Sequence, residues 1–126
     1  MCGICGTVGM ADERVIQQMT RVLAHRGPDG SGFRLFAPDD TVPEDVEAQA
    51  VLCFENIKAI LGEAGMTLAD VVRFTAYVTD RAYFPIYGAV RGRYVEGNAF
   101  ASTLVIVSGF TRPEFKVEVE AIAAAP

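Results

Sequence analysis

Few side chains in this 126-residue sequence have the chemistry of a catalyst. Three of them are thiols, Cys2, Cys5 and Cys53, and one is an imidazole, His25. Cys2 and Cys5 form a C-x-x-C pair. A four-ligand zinc site needs a second pair at a set spacing, and Cys53 and His25 do not supply one. A thiol–disulfide centre places C-x-x-C at a helix start that follows a strand; this pair sits inside an apolar run instead. Neither a metal nor another cofactor is expected. Cys53 falls beside a helical apolar stripe and is expected to be a buried, inert thiol. Three cysteines suit a reducing compartment better than a disulfide framework.

The oxygen and nitrogen side chains are more ambiguous. Ser102 and Thr103 interrupt an apolar run, where hydroxyls either donate to a ligand or satisfy a strand's own polar pairing. Glu118 occupies the outward alternation of a terminal strand, a position where a carboxylate is ordinarily solvated. Arg112 precedes Pro113 in a turn, within reach of a pocket or of solvent.

The elements that must position these groups follow from periodicity. In the first part, a strand is expected over residues 4–8 and a helix over 11–24, with Asp12 as cap. A Gly/Pro turn follows at 26–30 and a second short strand at 33–36. Residues 37–40 read as a linker. Thr41 and Glu44 have the spacing of a capping box with Pro43 in the first turn. Behind them Val46, Ala50, Phe54, Ile57, Leu61 and Ala64 recur at three and four residues as one stripe, and Gly65 ends the helix. Residues 71–78 alternate as a strand, with Val72, Phe74, Ala76 and Val78 to one side and Arg73, Thr75 and Tyr77 to the other. Thr79 and Asp80 can cap a second helix with the stripe Phe84, Tyr87, Val90 and Tyr94, closed by Gly97. Residues 100–107 read as a buried strand. In 115–123, Phe115, Val117, Val119 and Ala121 alternate with Lys116, Glu118 and Glu120. This order implies an α+β layer, two helices covering one face of a mixed sheet.

Composition bounds the function. The chain has room for one domain, and 51% hydrophobic against 21% charged residues predicts a packed core. So apolar a chain of this size favours a homo-oligomer. A net charge of −5 without any Lys/Arg run argues against a nucleic-acid partner. No apolar stretch approaches the roughly 20 residues of a membrane span, and the N-terminus lacks a secretory pattern. A cytoplasmic protein is expected.

Two resemblances sharpen this reading. The stretch DVEAQAVLCFENIKAILGEAGMTLADVVRFTAYVTDRAYF, the phrase FASTLVIVSGFTRPEF and the ending KVEVEAIA resemble the RidA/YjgF family of reactive intermediate deaminases. The match spans residues 41–126. It implies a chorismate-mutase-like fold, a homotrimer with small-molecule pockets between subunits, and hydrolysis of small imines or enamines to keto compounds and ammonia. In that chemistry an arginine grips the substrate carboxylate, while a glutamate and backbone groups position water. By this resemblance Glu118 is the family's glutamate. Ser102 stands where the family commonly has its arginine, and Gly88 where it has an asparagine. The family's first hairpin has no counterpart. Ser102, Thr103 and Arg112 are the candidate substrate contacts.

Residues 1–33, through MCGICG and HRGPDGSGF, resemble the opening of class II glutamine amidotransferases, close to asparagine synthetases. That resemblance implies removal of Met1 and makes Cys2 a nucleophile whose own α-amino group, titrating near 8, takes the thiol proton. The family's clamping arginine, Asn-Gly oxyanion element and later aspartate have no counterpart here. The expected organisation is therefore an amidotransferase-like segment over 1–40, recruited as scaffold, and a RidA-like core over 41–126. Three functions follow in order: an imine or enamine hydrolase, a ligand-binding or assembly module that keeps the shell, and a Cys2-dependent glutamine hydrolase.

Overall fold

The computed structural model of the chain describes residues 42–124 together with Arg14. In chain order these residues include helix α1 (Val46–Glu63), a 3-10 turn (Leu68–Asp70), strand β1 (Val71–Val78), helix α2 (Tyr83–Val95), strand β2 (Ala101–Ile106) and strand β3 (Val117–Ala123). The expected strand–helix–strand segment before residue 37, the linker at 37–40, Thr41, Cys2, Cys5, His25 and Arg26 lie outside the described residues.

The sheet runs β2-β1-β3, with β1 parallel to β2 and antiparallel to β3. A parallel pair needs a crossover, and α2 supplies it. Both helices cover one face, as the periodicity predicts. Ala50 and Phe54 of α1 and Tyr87 and Val90 of α2 form one core with Phe74, Ala76 and Val78 of β1 and Val117 of β3. Aromatic rings give this core its shape. Phe54 lies 5.6 Å from Phe74, 6.1 Å from Tyr87 and 5.1 Å from Tyr94, centroid to centroid. Each fully buried ring contributes about 2–3 kcal/mol of apolar transfer.

Several local expectations need correction. Asp45, not Thr41, caps α1: its Oδ2 accepts the Ala48 N–H at 2.9 Å. A carboxylate three residues before that amide satisfies a donor that the helix cannot. The Pro43 carbonyl turns instead toward Gln49, whose Nε2 donates to it at 2.7 Å. The far end is as expected, with Gly65 at φ 71 and the Met66 amide reaching back to the Leu61 carbonyl at 2.9 Å.

The alternation of β1 breaks at its first residues. Val71 pairs with Ala123 and Arg73 with Ile122, so Val72 is the extra residue of a bulge. The bulge turns Val71 inward at 1% exposure and leaves Val72 at 47%. In α2 the stripe is shifted: Phe84 is exposed, while Tyr87, Val90 and Val95 are buried. Asp80 accepts the Ala82 N–H at 2.7 Å just before the helix, and Tyr83 and Ile86, not Phe84, pack against the core from its first turn. Strand β2 is not buried. Among the described residues it is an edge of the sheet, and Val105 and Ile106 are exposed, with Leu104 only half-buried.

Candidate functional site

Register assigns the strand candidates Ser102, Thr103 and Glu118 to sheet faces, because directly paired residues point the same way. Phe74, Ala76 and Val78 face the helices, so their β2 partners Ser102, Leu104 and Ile106 do too. Arg73, Thr75 and Tyr77 face the other way. Ala101, Thr103 and Val105 share that open face from β2, and Glu118, Glu120 and Ile122 share it from β3.

The predicted residues therefore separate into two groups. Glu118 and Thr103 lie on the open face, on either side of β1. Glu118 pairs with Tyr77, and Thr103 is in register with Thr75. Tyr77 donates its hydroxyl proton to Glu120 Oε2 at 3.1 Å. That bond, with smaller contributions from desolvation and from the nearby carboxylates, raises the Tyr77 pKa. Ser102, in contrast, projects toward the helices. Its Oγ accepts from Arg91 Nη1 of α2 at 2.7 Å. Adjacent residues of a strand face opposite ways, so Ser102 and Thr103 cannot line one pocket of one chain.

Arg112 sits in the loop before β3. Its Nε donates to Glu114 Oε1 at 3.1 Å, and its guanidinium stacks over the Phe115 ring at 5.1 Å. The paired guanidinium lowers the Glu114 pKa. Cys53 is buried, as expected. Cys2 lies outside the described residues. Among the described residues, no group of three His, Cys, Asp or Glu side chains is placed to hold a metal ion, and no helix is long and apolar enough to cross a membrane.

The start of β3, and with it Glu118, is fixed by a residue that the sequence reading did not single out. Gln49 is buried, and its amide is fully used. Nε2 donates to the Pro43 and Glu114 carbonyls at 2.7 and 2.8 Å, and Oε1 accepts the Lys116 N–H at 2.9 Å. It thus ties α1 to the loop that delivers β3, beside a shallow hollow lined by Val42, Cys53, Phe115 and Val117.

Arg91 is the other residue that the sequence did not single out. It lies three residues after Gly88, on the same face of α2. Its guanidinium rests over the rings of Tyr87 and Phe100, at 5.8 and 5.5 Å from their centroids. Tyr87 is 1% exposed, and its hydroxyl has no hydrogen-bond partner among the described residues. Arg91 is close enough to act on that hydroxyl electrostatically, yet distance and angle together do not make a hydrogen bond. Burial dominates, pushing the Tyr87 pKa up to about 12 against the opposing charge of Arg91. A buried hydroxyl left unpaired costs about 1–3 kcal/mol.

An α+β layer of this topology, with polar groups on both sides of a short mixed sheet, has clear relatives. Residues 32–125 match the family model described as endoribonuclease L-PSP. The chain belongs to this family, also known as RidA/YjgF. It is 42% identical over 84 residues to protein DfrA of Myxococcus xanthus, covering 67% of this chain and 63% of that protein. It is 37% identical over 84 residues to the 2-iminobutanoate/2-iminopropanoate deaminase of Salmonella typhimurium, covering 65% of this chain and 66% of the relative. Among solved structures, Escherichia coli TdcF with bound serine superposes with a TM-score of 0.65 at 30% identity, over 69% of this chain and 70% of that one. The chain thus spans slightly under two thirds of the length of these curated relatives.

Proposed function

We propose that this protein hydrolyses a small imine or enamine at a site shared between copies of the chain, in a RidA-like homotrimer. Water adds to the imine carbon while Glu118 takes one of its protons and passes it to the nitrogen, giving a carbinolamine. Glu118 then takes the carbinolamine hydroxyl proton and delivers it to the nitrogen as the C–N bond breaks, so that ammonia leaves and a carbonyl remains. Thr103 lines the same face. Ser102 lines the opposite one, and Arg112, already engaged by Glu114, stays outside the site. Residues 41–126 carry this function, with residues 1–40 as scaffold.

The observation that carries this reading is the placement of Glu118 on the sheet face away from the helices, in a chain whose relatives include a named 2-iminobutanoate/2-iminopropanoate deaminase. The E. coli relative with serine bound supports a small polar ligand. Assembly is supported by exposed apolar side chains on the sheet. Val105 and Ile122 (40% and 59% exposed) lie on the face away from the helices, and Ile106 lies on β2, which among the described residues pairs with β1 alone. A sheet edge and apolar face of this kind ask for a partner.

The test is hydrolysis of freshly generated 2-iminobutanoate, read as 2-oxobutanoate and ammonia, by the wild type and by Glu118→Gln. Turnover that falls by about 100-fold or more in the variant supports the proposal; undiminished turnover removes Glu118 from it. A second reading, binding without turnover, is favoured by Ser102 and Gly88 standing at the family's Arg and Asn positions. Inactivity of the wild type toward imines, combined with a ligand-induced rise in melting temperature, would select it. Ammonia release from glutamine that is lost in Cys2→Ala would instead support the amidotransferase reading.

A further inference from the structure

We infer that Tyr77 is a specificity-determining residue of the Glu118 site: its ring, anchored by Glu120, forms the wall on which an imine with an aromatic substituent packs. This rests on the imine-hydrolase reading for the role of Glu118, and it names what that site selects, a flat apolar group attached near the imine carbon.

Three observations support the wall. The first is position. Tyr77 is the register partner of Glu118 on one side and of Val105 on the other, so Val105, Tyr77 and Glu118 form one row across the sheet face away from the helices. Directly paired residues of antiparallel strands have Cβ atoms about 4.5–5.5 Å apart, so the ring starts beside the carboxylate. The second is that the ring is held. Tyr77 donates its hydroxyl proton to Glu120 Oε2 at 3.1 Å. Glu120 is in register with Thr75, two residues back along β1, so the bond draws the ring diagonally across the face and fixes its tilt. The phenol keeps its proton, because the bond to Glu120 raises its pKa above the ordinary tyrosine value. The third is the surface around it. Val105 is 40% exposed and Tyr77 is half-buried, so an apolar step stands open next to Glu118.

The chemistry selects one class of substrate. A ring beside an aliphatic side chain offers dispersion and offset stacking, and it offers no positive charge to a carboxylate. Arg73, the arginine of this face, lies four residues from Tyr77, roughly 13 Å along the strand, and Glu120 is registered between them. The wall therefore recognises the substituent of the imine, while Glu118 acts at its carbon. The class of reaction that supplies such a substrate is the oxidation of an arylalkylamine to its imine.

The experiment compares two imines that differ only in substituent. They are generated in the assay by an amine oxidase from 2-phenylethylamine and from butylamine, and the aldehyde and ammonia released are measured. The wild type, Tyr77→Phe, Tyr77→Ala, Glu120→Gln and Glu120→Ala are assayed, each beside 2-iminobutanoate. The wild type should favour the phenyl imine in kcat/KM by about tenfold. Tyr77→Ala should erase that preference and change the butyl imine by less than about threefold. Tyr77→Phe keeps the ring without its anchor and should retain part of the preference. Glu120→Gln keeps an acceptor oxygen and should match the wild type, whereas Glu120→Ala should match Tyr77→Phe. No phenyl preference in the wild type, or an undiminished one in Tyr77→Ala, would overturn the wall and leave the hydrolase standing. So would equal losses on both imines with a lowered melting temperature, which is the behaviour of a brace for the sheet. If no imine is turned over, the hydrolase reading fails, and titration with phenylacetone decides the wall separately. Binding by the wild type that Tyr77→Ala loses would keep it; equal binding, or none, would reject it.

Discussion

Replacing Gln49 by Met tests how the strand bearing Glu118 is held. Methionine keeps the volume but removes all three hydrogen bonds, leaving the Pro43 and Glu114 carbonyls and the Lys116 amide without their partner. Each neutral bond is worth about 1 kcal/mol net, and more where the orphaned group stays dry. The groups here are partly buried, and water can reach some of them, so we expect a loss of about 3 kcal/mol. Urea unfolding followed by circular dichroism should show the midpoint falling by more than about 1 M. The exposed Lys58–Glu55 pair, at 3.9 Å, serves as comparator, and Lys58→Ala should change stability by less than about 0.5 kcal/mol. Because the Lys116 amide is two residues from Glu118, any imine hydrolysis by Gln49→Met should also drop in kcat. A Gln49→Met protein within about 0.5 kcal/mol of the wild type would show that the carbonyls find equivalent partners in water, and the bracing argument would fail.

Two further outcomes follow from the backbone and the buried tyrosine. Gly65 has φ 71, so Gly65→Ala should cost about 1 kcal/mol by the same urea measurement even though no atom stands in the way of the new Cβ. Tyr87 has a raised folded pKa, so its contribution to stability is complete below the ordinary tyrosine value near 10 and is lost as pH rises through about 12. Urea midpoints measured at pH 9 and pH 11 should fall for the wild type and fall less for Tyr87→Phe. Near neutral pH that variant should be at least as stable as the wild type, since it removes an unpaired buried hydroxyl.

Regular packing was legible in the sequence where one period ran uninterrupted. The strand at 71–78 and the stripe through Ala50, Phe54 and Leu61 are found as the alternation and helical spacing imply. The exceptions have specific causes. A one-residue bulge at Val72 exchanges the facing of Val71 and Val72, and nothing in a Val-Val pair marks which one is extra. The run at 100–107 is as apolar as a central strand, but burial depends on which neighbours pair with it, and among the described residues β2 pairs with β1 alone. Phe84 matched the helical period yet faces solvent, while Tyr83 and Ile86 of the same turn pack against the core. The candidate site was legible as a set of residue types but not as a geometry. Ser102 and Thr103 are neighbours in sequence and are separated by the sheet. Arg91 lies eleven positions before Ser102 in the chain and touches it in the fold.

The central claim is a site completed between copies of the chain, with Glu118 supplied by one of them. Analytical ultracentrifugation of the wild type across the concentration range of the 2-iminobutanoate assay, run beside that assay, tests it directly. The account predicts a trimer that persists wherever turnover persists, with turnover lost on dilution into monomer. A dilute monomer that hydrolyses the imine as fast as the assembled protein would contradict the shared site.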